Sequence, residues 1–315
     1  MFGTSGPDGA SAGAATLGGV TNRIVVGVDG SVGARTALLW AVDECRLRRR
    51  TLLIVHAPDG AAVATAGAPS PRALDEFGER LLGAHAAAAS ARQPGVAVTT
   101  MLSHEPAADT LVVLSGDADL LVVGTHGLGG NLASILGSVS HRVAPHAHCP
   151  VAVVPDQPVL NGGGAPASRL VVGVSATVSG RAALEFALEE AVRRDATVVA
   201  VRAGHESATV NRAAVLPRDL APLLERYPGA RVEPDLVTAE PAEALLAAAR
   251  DAVLLVVGCH HSDDRWSTRL GPVPSAILHR VPCPVVVVGQ RRDVPVAAAG
   301  PGRGSSGFVP SPARP

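Results

Sequence analysis

The chain repeats itself. Residues 24–57 align without gaps to residues 170–203, with about 14 of roughly 34 positions identical. A second block pairs residues 117–124 with 251–258, and Cys149-Pro150-Val151 with Cys283-Pro284-Val285. Two copies of one unit follow, and 315 residues are enough for each copy to bury its own core. Between them lies a glycine-rich stretch containing Asn161-Gly162-Gly163-Gly164. Residues 1–22 and 291–315 are rich in Gly, Ala, Pro and Ser without periodicity, the composition of disordered tails. The expected organisation is a tail over 1–22, a domain over 23–156, a linker over 157–168, a second domain over 169–290 and a tail over 291–315.

Within each copy, short β-branched runs alternate with helical patterns, which predicts βαβ units and a parallel sheet. In the first copy the strands are expected near 24–29, 51–57, 96–102, 119–124 and 150–154. Ala34, Ala37, Leu38, Ala41, Val42 and Cys45 recur at helical spacing after Ser31, a plausible N-cap. The predicted class is therefore α/β, with two tandem doubly wound domains. Each would be a five-stranded parallel sheet flanked by helices, for which 3-2-1-4-5 is one doubly wound order. In that order strands 1 and 4 flank the switch point, so Asp29 and the segment from Gly124 form opposite lips of one crevice.

Strand 4 runs into Gly124-Thr125-His126-Gly127-Leu128-Gly129-Gly130, and Gly137-Ser138 then open a new helical pattern. Glycine permits positive φ and close approach, so successive amides can turn inward as an anion-binding nest. The start of the following helix would add unpaired N–H donors. Phosphate is the natural occupant. A Walker A loop would carry a Lys before its Ser or Thr, and a dinucleotide fingerprint would follow strand 1. Neither pattern is present here.

The strand ending at Asp29, the glycine loop from Gly124 to Ser138 and the closing Cys149-Pro150-Val151 together resemble the universal stress protein family, over nearly all of residues 23–290. The tandem arrangement is similar to the two-domain members common in actinobacteria. The resemblance implies an α/β domain with strand order 3-2-1-4-5 that binds ATP, with Mg²⁺ accompanying the triphosphate, and a nucleotide-dependent regulatory role in stress tolerance or dormancy. It also implies that Gly27 and Asp29 line the nucleotide, that the Ala57 backbone meets adenine, and that Val123 borders the base. Gly124, Thr125, His126, Gly127, Gly130, Gly137, Ser138, Val139 and Ser140 would surround ribose and phosphates. It implies no established reaction, and no catalytic residue is assigned.

The second copy has Ser175 for Asp29, His261 for Gly127 and Pro272 for Ser138, with Asp263 and Asp264 adding negative charge where phosphate would sit. It is expected to bind nucleotide weakly or not at all and to serve structure. In the resembling family the last strand pairs with that of another domain. The apolar runs at residues 151–154 and 285–288 are hazards unless paired, and could pair with each other. A homodimer and a protein partner of unstated identity are also expected.

Two other readings stay open. A slow ATPase or phosphotransferase needs a positioned base and charge stabilisation, and His126 is the one candidate in the loop. Alternatively, both copies serve only assembly, without nucleotide.

The remaining sequence narrows the classes. With 27 Lys plus Arg against 28 Asp plus Glu, no global field attracts nucleic acid or an anionic membrane. The basic run at residues 46–50 reads as helix-end cations that complement the dipole. Four cysteines without a CxxC argue against a disulfide framework or zinc ribbon and fit a reducing cytoplasm. Cys259-His260-His261 and His146-Ala147-His148-Cys149 contain ligand residue types but lack two-plus-two spacing, so no metal site is expected. No apolar run is long enough to span a bilayer, and the first twenty residues lack the basic start and apolar core of a signal peptide.

Overall fold

The computed structural model describes residues 22–57, 70–127, 137–156, 169–204, 221–259, 270–280, 283–289 and 311–312. The first copy runs β1 (Arg23–Gly27), α1 (Val32–Arg48), β2 (Thr51–His56), α2 (Pro71–Arg92), β3 (Val98–Leu102), α3 (Ala107–Leu114), β4 (Leu120–Gly124), α4 (Ser138–Val143) and β5 (Val151–Val154). The second runs β6 (Arg169–Gly173), α5 (Val178–Arg194), β7 (Thr197–Ala203), α6 (Ala221–Arg226), β8 (Arg231–Val237), α7 (Pro241–Ala248), β9 (Leu254–Gly258), α8 (Pro272–Leu278) and β10 (Val285–Val288). A short β11 (Ser311–Pro312) closes the chain. The expected strands are all present, each trimmed by one or two residues at one or both ends.

All strands join one sheet in the order β11-β3-β2-β1-β4-β5-β10-β9-β6-β7-β8. Each copy contributes the order 3-2-1-4-5 with parallel neighbours. At the seam β5 and β10 run antiparallel, with Val285 opposite Val153, Val286 opposite Ala152 and Val287 opposite Val151. The two apolar runs that needed covering cover each other. A homodimer built on that edge has no edge left to use.

The apolar alternation along each strand feeds two core layers, one per sheet face. One layer takes Ile24, Val26, Ala152, Val154, Val286 and Val288 together with α1, α2, α5 and α6. The other takes Val25, Val151, Val153, Val285 and Val287 together with α3, α4, α7 and α8. Both layers cross the seam, so the halves share a core as well as a sheet. Burying each such Val stabilises by about 2 kcal/mol.

The helix after the first strand of each copy starts at a side-chain cap. Ser31 Oγ accepts from the Ala34 amide at 3.1 Å, and Thr177 Oγ1 does the same for Gly180 at 3.1 Å. α1 and α5 end on a left-handed residue, Arg49 at φ 55° and Asp195 at φ 49°. Near those ends they exchange charge across the seam. Glu44 pairs with Arg48 at 3.1 Å and with Arg194, while Glu190 pairs with Arg48 at 2.9 Å and with Arg193 and Arg194. The basic run is thus more than a helix-end feature: Arg48 is drawn into this buried network, and Arg50 pairs with Asp119.

Two expectations concern segments only partly described. The linker over 157–168 lies outside the described residues. The C-terminal tail was expected to be wholly disordered, yet Ser311 pairs antiparallel with Thr100 and Pro312 with Thr99 on the edge of β3.

Candidate functional site

The crevice forms where β1 and β4 part. These neighbours pair in parallel through Ile24 and Leu120, Val25 and Leu121, Val26 and Val122. Beyond β1, the chain turns through Gly30 at φ 89°, a backbone region that glycine enters without strain. This turn lets Asp29 Oδ1 accept the Ser31 amide at 3.0 Å. The local turn role of Asp29 is therefore real. Its Oδ2 faces Gly127 so closely that a methyl group on Gly127 would overlap it.

The loop after β4 is tied down from several sides. Ser140, buried on α4, donates from Oγ to the Gly124 carbonyl at 2.6 Å. The Gly137 amide donates to the Thr125 carbonyl at 2.7 Å, and Ser31 Oγ donates to the His126 carbonyl at 3.3 Å. Thr125 Oγ1 donates to Asp156 Oδ1 at 2.8 Å, and His126 Nδ1 lies 2.9 Å from Asp156 Oδ2.

These contacts sort the expected residues. Asp29, Gly127, His126, Gly124 and Gly137 come together at the crevice. Ser138 is exposed at the first turn of α4, where the His141 amide donates to the Gly137 carbonyl, so the amides of Ser138, Val139 and Ser140 precede the ladder. The Gly137 amide, expected to face phosphate, is instead taken by Thr125. The Ser140 and Thr125 side chains likewise hold the loop from behind. Val123 is 3% exposed within the apolar layer on the α3 and α4 side, so its side chain belongs to the core. Ala57 sits half-buried at the end of β2, after His56, whose Nδ1 meets the Val28 carbonyl at 2.8 Å. Gly130 lies outside the described residues, as do His261, Asp263 and Asp264.

The second copy serves as an internal control on the glycines. A methyl on Gly27 would meet Leu111 Cδ1 at 2.9 Å, and one on Gly173 would meet Leu245 Cδ1 at 3.1 Å. Gly124 abuts the Gly33 backbone, and Gly258 abuts the Ser179 backbone. Since both copies keep these approaches, Gly27 and Gly124 are explained by packing. The opposition of Asp29 and Gly127 is confined to the first copy. In the second copy Ser175 Oγ bonds Thr177 Oγ1 at 2.8 Å, and Ala176 replaces the left-handed glycine. Among the described non-glycine residues only Arg49 and Asp195 have positive φ, so that turn takes a different path.

The universal stress protein family matches residues 21–155 and 167–289. The chain belongs to this family. Among relatives, the universal stress protein Rv1996 of Mycobacterium tuberculosis is 30% identical over 310 residues, spanning 87% of this chain and 97% of its own. Rv2623 of the same organism is 31% identical over 286 residues, spanning 85% and 96%. Among solved structures, a universal stress protein from Archaeoglobus fulgidus matches with a TM-score of 0.67 at 18% identity, covering 87% of this chain and all of that one. A putative universal stress protein from Pseudomonas aeruginosa matches at 0.52 and 14%, covering 86% and 94%. At those identities the structures establish the shared fold. Both family matches fall on the two repeat units, so this is a tandem universal stress protein. No helix among the described residues is long and apolar enough to cross a membrane.

One residue of this universal stress protein site escaped the sequence reading. Asp156 stands at the border of the linker, where composition draws the eye to the glycines that follow. A carboxylate two residues beyond a strand whose neighbour ends in Gly-Thr-His is the signal that was there to be read.

Proposed function

We propose that the N-terminal half binds ATP in the crevice between β1 and β4, and that the protein acts as a nucleotide-dependent regulator in stress tolerance or dormancy. The observation that carries the reading is the opposition of Asp29 and Gly127. A carboxylate and a side-chain-free backbone face each other across the switch point, and the copy that replaces both with Ser175 and His261 also replaces Ser138 with Pro272, which has no N–H. Asp29 suits a ribose hydroxyl or a hydrated cation, and the amides that open α4 suit an anion. Mg²⁺ fits the donor set: it takes one or two carboxylates with the phosphates as further ligands, and Asp29 supplies one. The ion would neutralise phosphate charge beside that carboxylate.

A regulator fits better than a phosphotransferase, because the described part of the loop offers neither a Lys nor an Arg to stabilise a transferring phosphoryl group.

Equilibrium binding of MgATP to the full chain tests the reading. One nucleotide per chain is expected, with Gly127→Ala abolishing saturable binding while the thermal unfolding midpoint stays near that of the wild type. Two sites per chain, or unchanged affinity in Gly127→Ala, would overturn it.

A further inference from the structure

We propose that Asp156 is a positioning residue for the nucleotide site, a clasp that holds Thr125, His126 and the start of α1 in the arrangement the phosphates require. The inference rests on the reading above and adds the group that preorganises it.

The geometry is three-sided. Asp156 Oδ1 accepts from Thr125 Oγ1 at 2.8 Å, Oδ2 meets His126 Nδ1 at 2.9 Å, and its main-chain carbonyl accepts from Thr36 Oγ1 at 3.1 Å. One residue at the end of β5 thus grips the loop after β4 and the helix after β1. Room for its carboxylate is made by Gly33, where any methyl would overlap Asp156 Oδ1 and would lie 2.9 Å from the His126 carbonyl. The bond to Nδ1 also fixes which His126 nitrogen carries the proton facing Asp156, and so leaves Nε2 as the nitrogen offered to solvent or ligand.

The second copy keeps His260 at the position of His126 but changes other clasp residues. By the repeat alignment it has Cys259 for Thr125, Ser179 for Gly33 and Gln290 for Asp156. Yet the scaffold bond beneath survives, because the Cys259 amide donates to Val288 at 2.9 Å as Thr125 does to Val154 at 3.1 Å. If the clasp served only to join the strand ends, the copy that keeps the strands would have reason to keep it. Thr125, Gly33 and Asp156 are replaced in the half that also lacks Asp29 and Gly127, which ties the clasp to the ligand site. An ordered loop gains affinity because the ligand no longer has to order it.

The test uses the full chain with MgATP and with adenosine as probes. Asp156→Ala is expected to weaken MgATP at least tenfold while adenosine affinity changes less than threefold, since the clasp holds the phosphate side of the crevice. Asp156→Asn is expected to shift the ¹⁵N signals of His126 away from the Nδ1–H tautomer. Should Asp156→Ala fail to fold, Thr125→Val breaks the same grip from the loop side and is expected to show the same split. A wild type that binds no MgATP would remove the function reading itself. A wild type that binds, with Asp156→Ala or Thr125→Val losing adenosine and MgATP equally or losing neither, would overturn the clasp alone.

Discussion

Burial keeps the thiols of Cys45 and Cys283 protonated: both are fully buried, and desolvation pushes each up to about 12 from an ordinary value of 9.0. For Cys45 the adjacent Glu44 carboxylate adds to the rise. An unfolded chain releases these protons near pH 9 while the folded one keeps them, so the folded state binds more protons as pH climbs. Stability is thus fully present below about pH 9 and falls by roughly 1.4 kcal/mol per pH unit for each thiol above it. Urea midpoints measured between pH 8 and 10.5 should drop with pH, and a Cys45→Ala, Cys283→Ala variant should show a shallower drop. Parallel slopes would refute the assignment. At this scale the sequence revealed residue types but not directions. It named Thr125, Ser140 and Gly137 for the site because they sit in the motif, whereas the Asp156 carboxylate and the Gly124 and Thr125 carbonyls receive their bonds. Such pairings join positions as far as 31 residues apart, which no local spacing encodes.

Among the elements, α1 and α5 show how a repeat becomes an interface. Glu44 aligns with Glu190 and Arg48 with Arg194, and each pair sits at i and i+4 of its own helix. Placed about a pseudo-two-fold, they form a near-symmetric charge quartet with Glu44 4% and Glu190 0% exposed. Arg48 also lies over the Phe186 ring at 5.1 Å. The fit is imperfect, since Arg48 Nη2 is 2.9 Å from Glu190 Oε1 without hydrogen-bond geometry. Buried ion pairs recover little net energy against their desolvation, but removing one partner strands the other. Glu190→Ala should therefore destabilise the protein by about 3 kcal/mol. Replacing Glu44, Arg48, Glu190 and Arg194 together with Leu or Met should be neutral or stabilising. Urea denaturation of both variants decides, and a quadruple variant weaker than Glu190→Ala would refute it. Helix periodicity and the repeat were plain in the sequence. That two basic helix ends would meet two glutamates was not, because the Glu-to-Arg spacing reads equally well as a solvated helix face.

The whole molecule is one sheet with two ends, and the ends differ in chemistry. The repeat and two apolar runs made the β5–β10 pairing legible, and the family resemblance supplied the strand order. The outer edges were not legible. β8 reads Arg231-Val232-Glu233-Pro234-Asp235-Leu236-Val237, and its charges and proline discourage a further strand. β3 reads Val98-Thr99-Thr100-Met101-Leu102, with neither charge nor proline. That is the edge on which β11 lies, drawn from a tail whose Gly, Pro and Ser content signals disorder because composition is blind to non-local pairing. Among the described residues the cover lies on the unprotected edge alone, as edge chemistry demands. Removing residues 306–315 should therefore leave β3 open to pairing between chains. The truncated protein should show a concentration-dependent rise in light scattering and faster amide exchange at Thr99 and Thr100. Thr100→Lys in the truncated chain should suppress the scattering by restoring charge to the edge. A truncated protein that stays monodisperse, with β3 amides as protected as before, would mean that the tail strand leaves the edge no safer than it finds it.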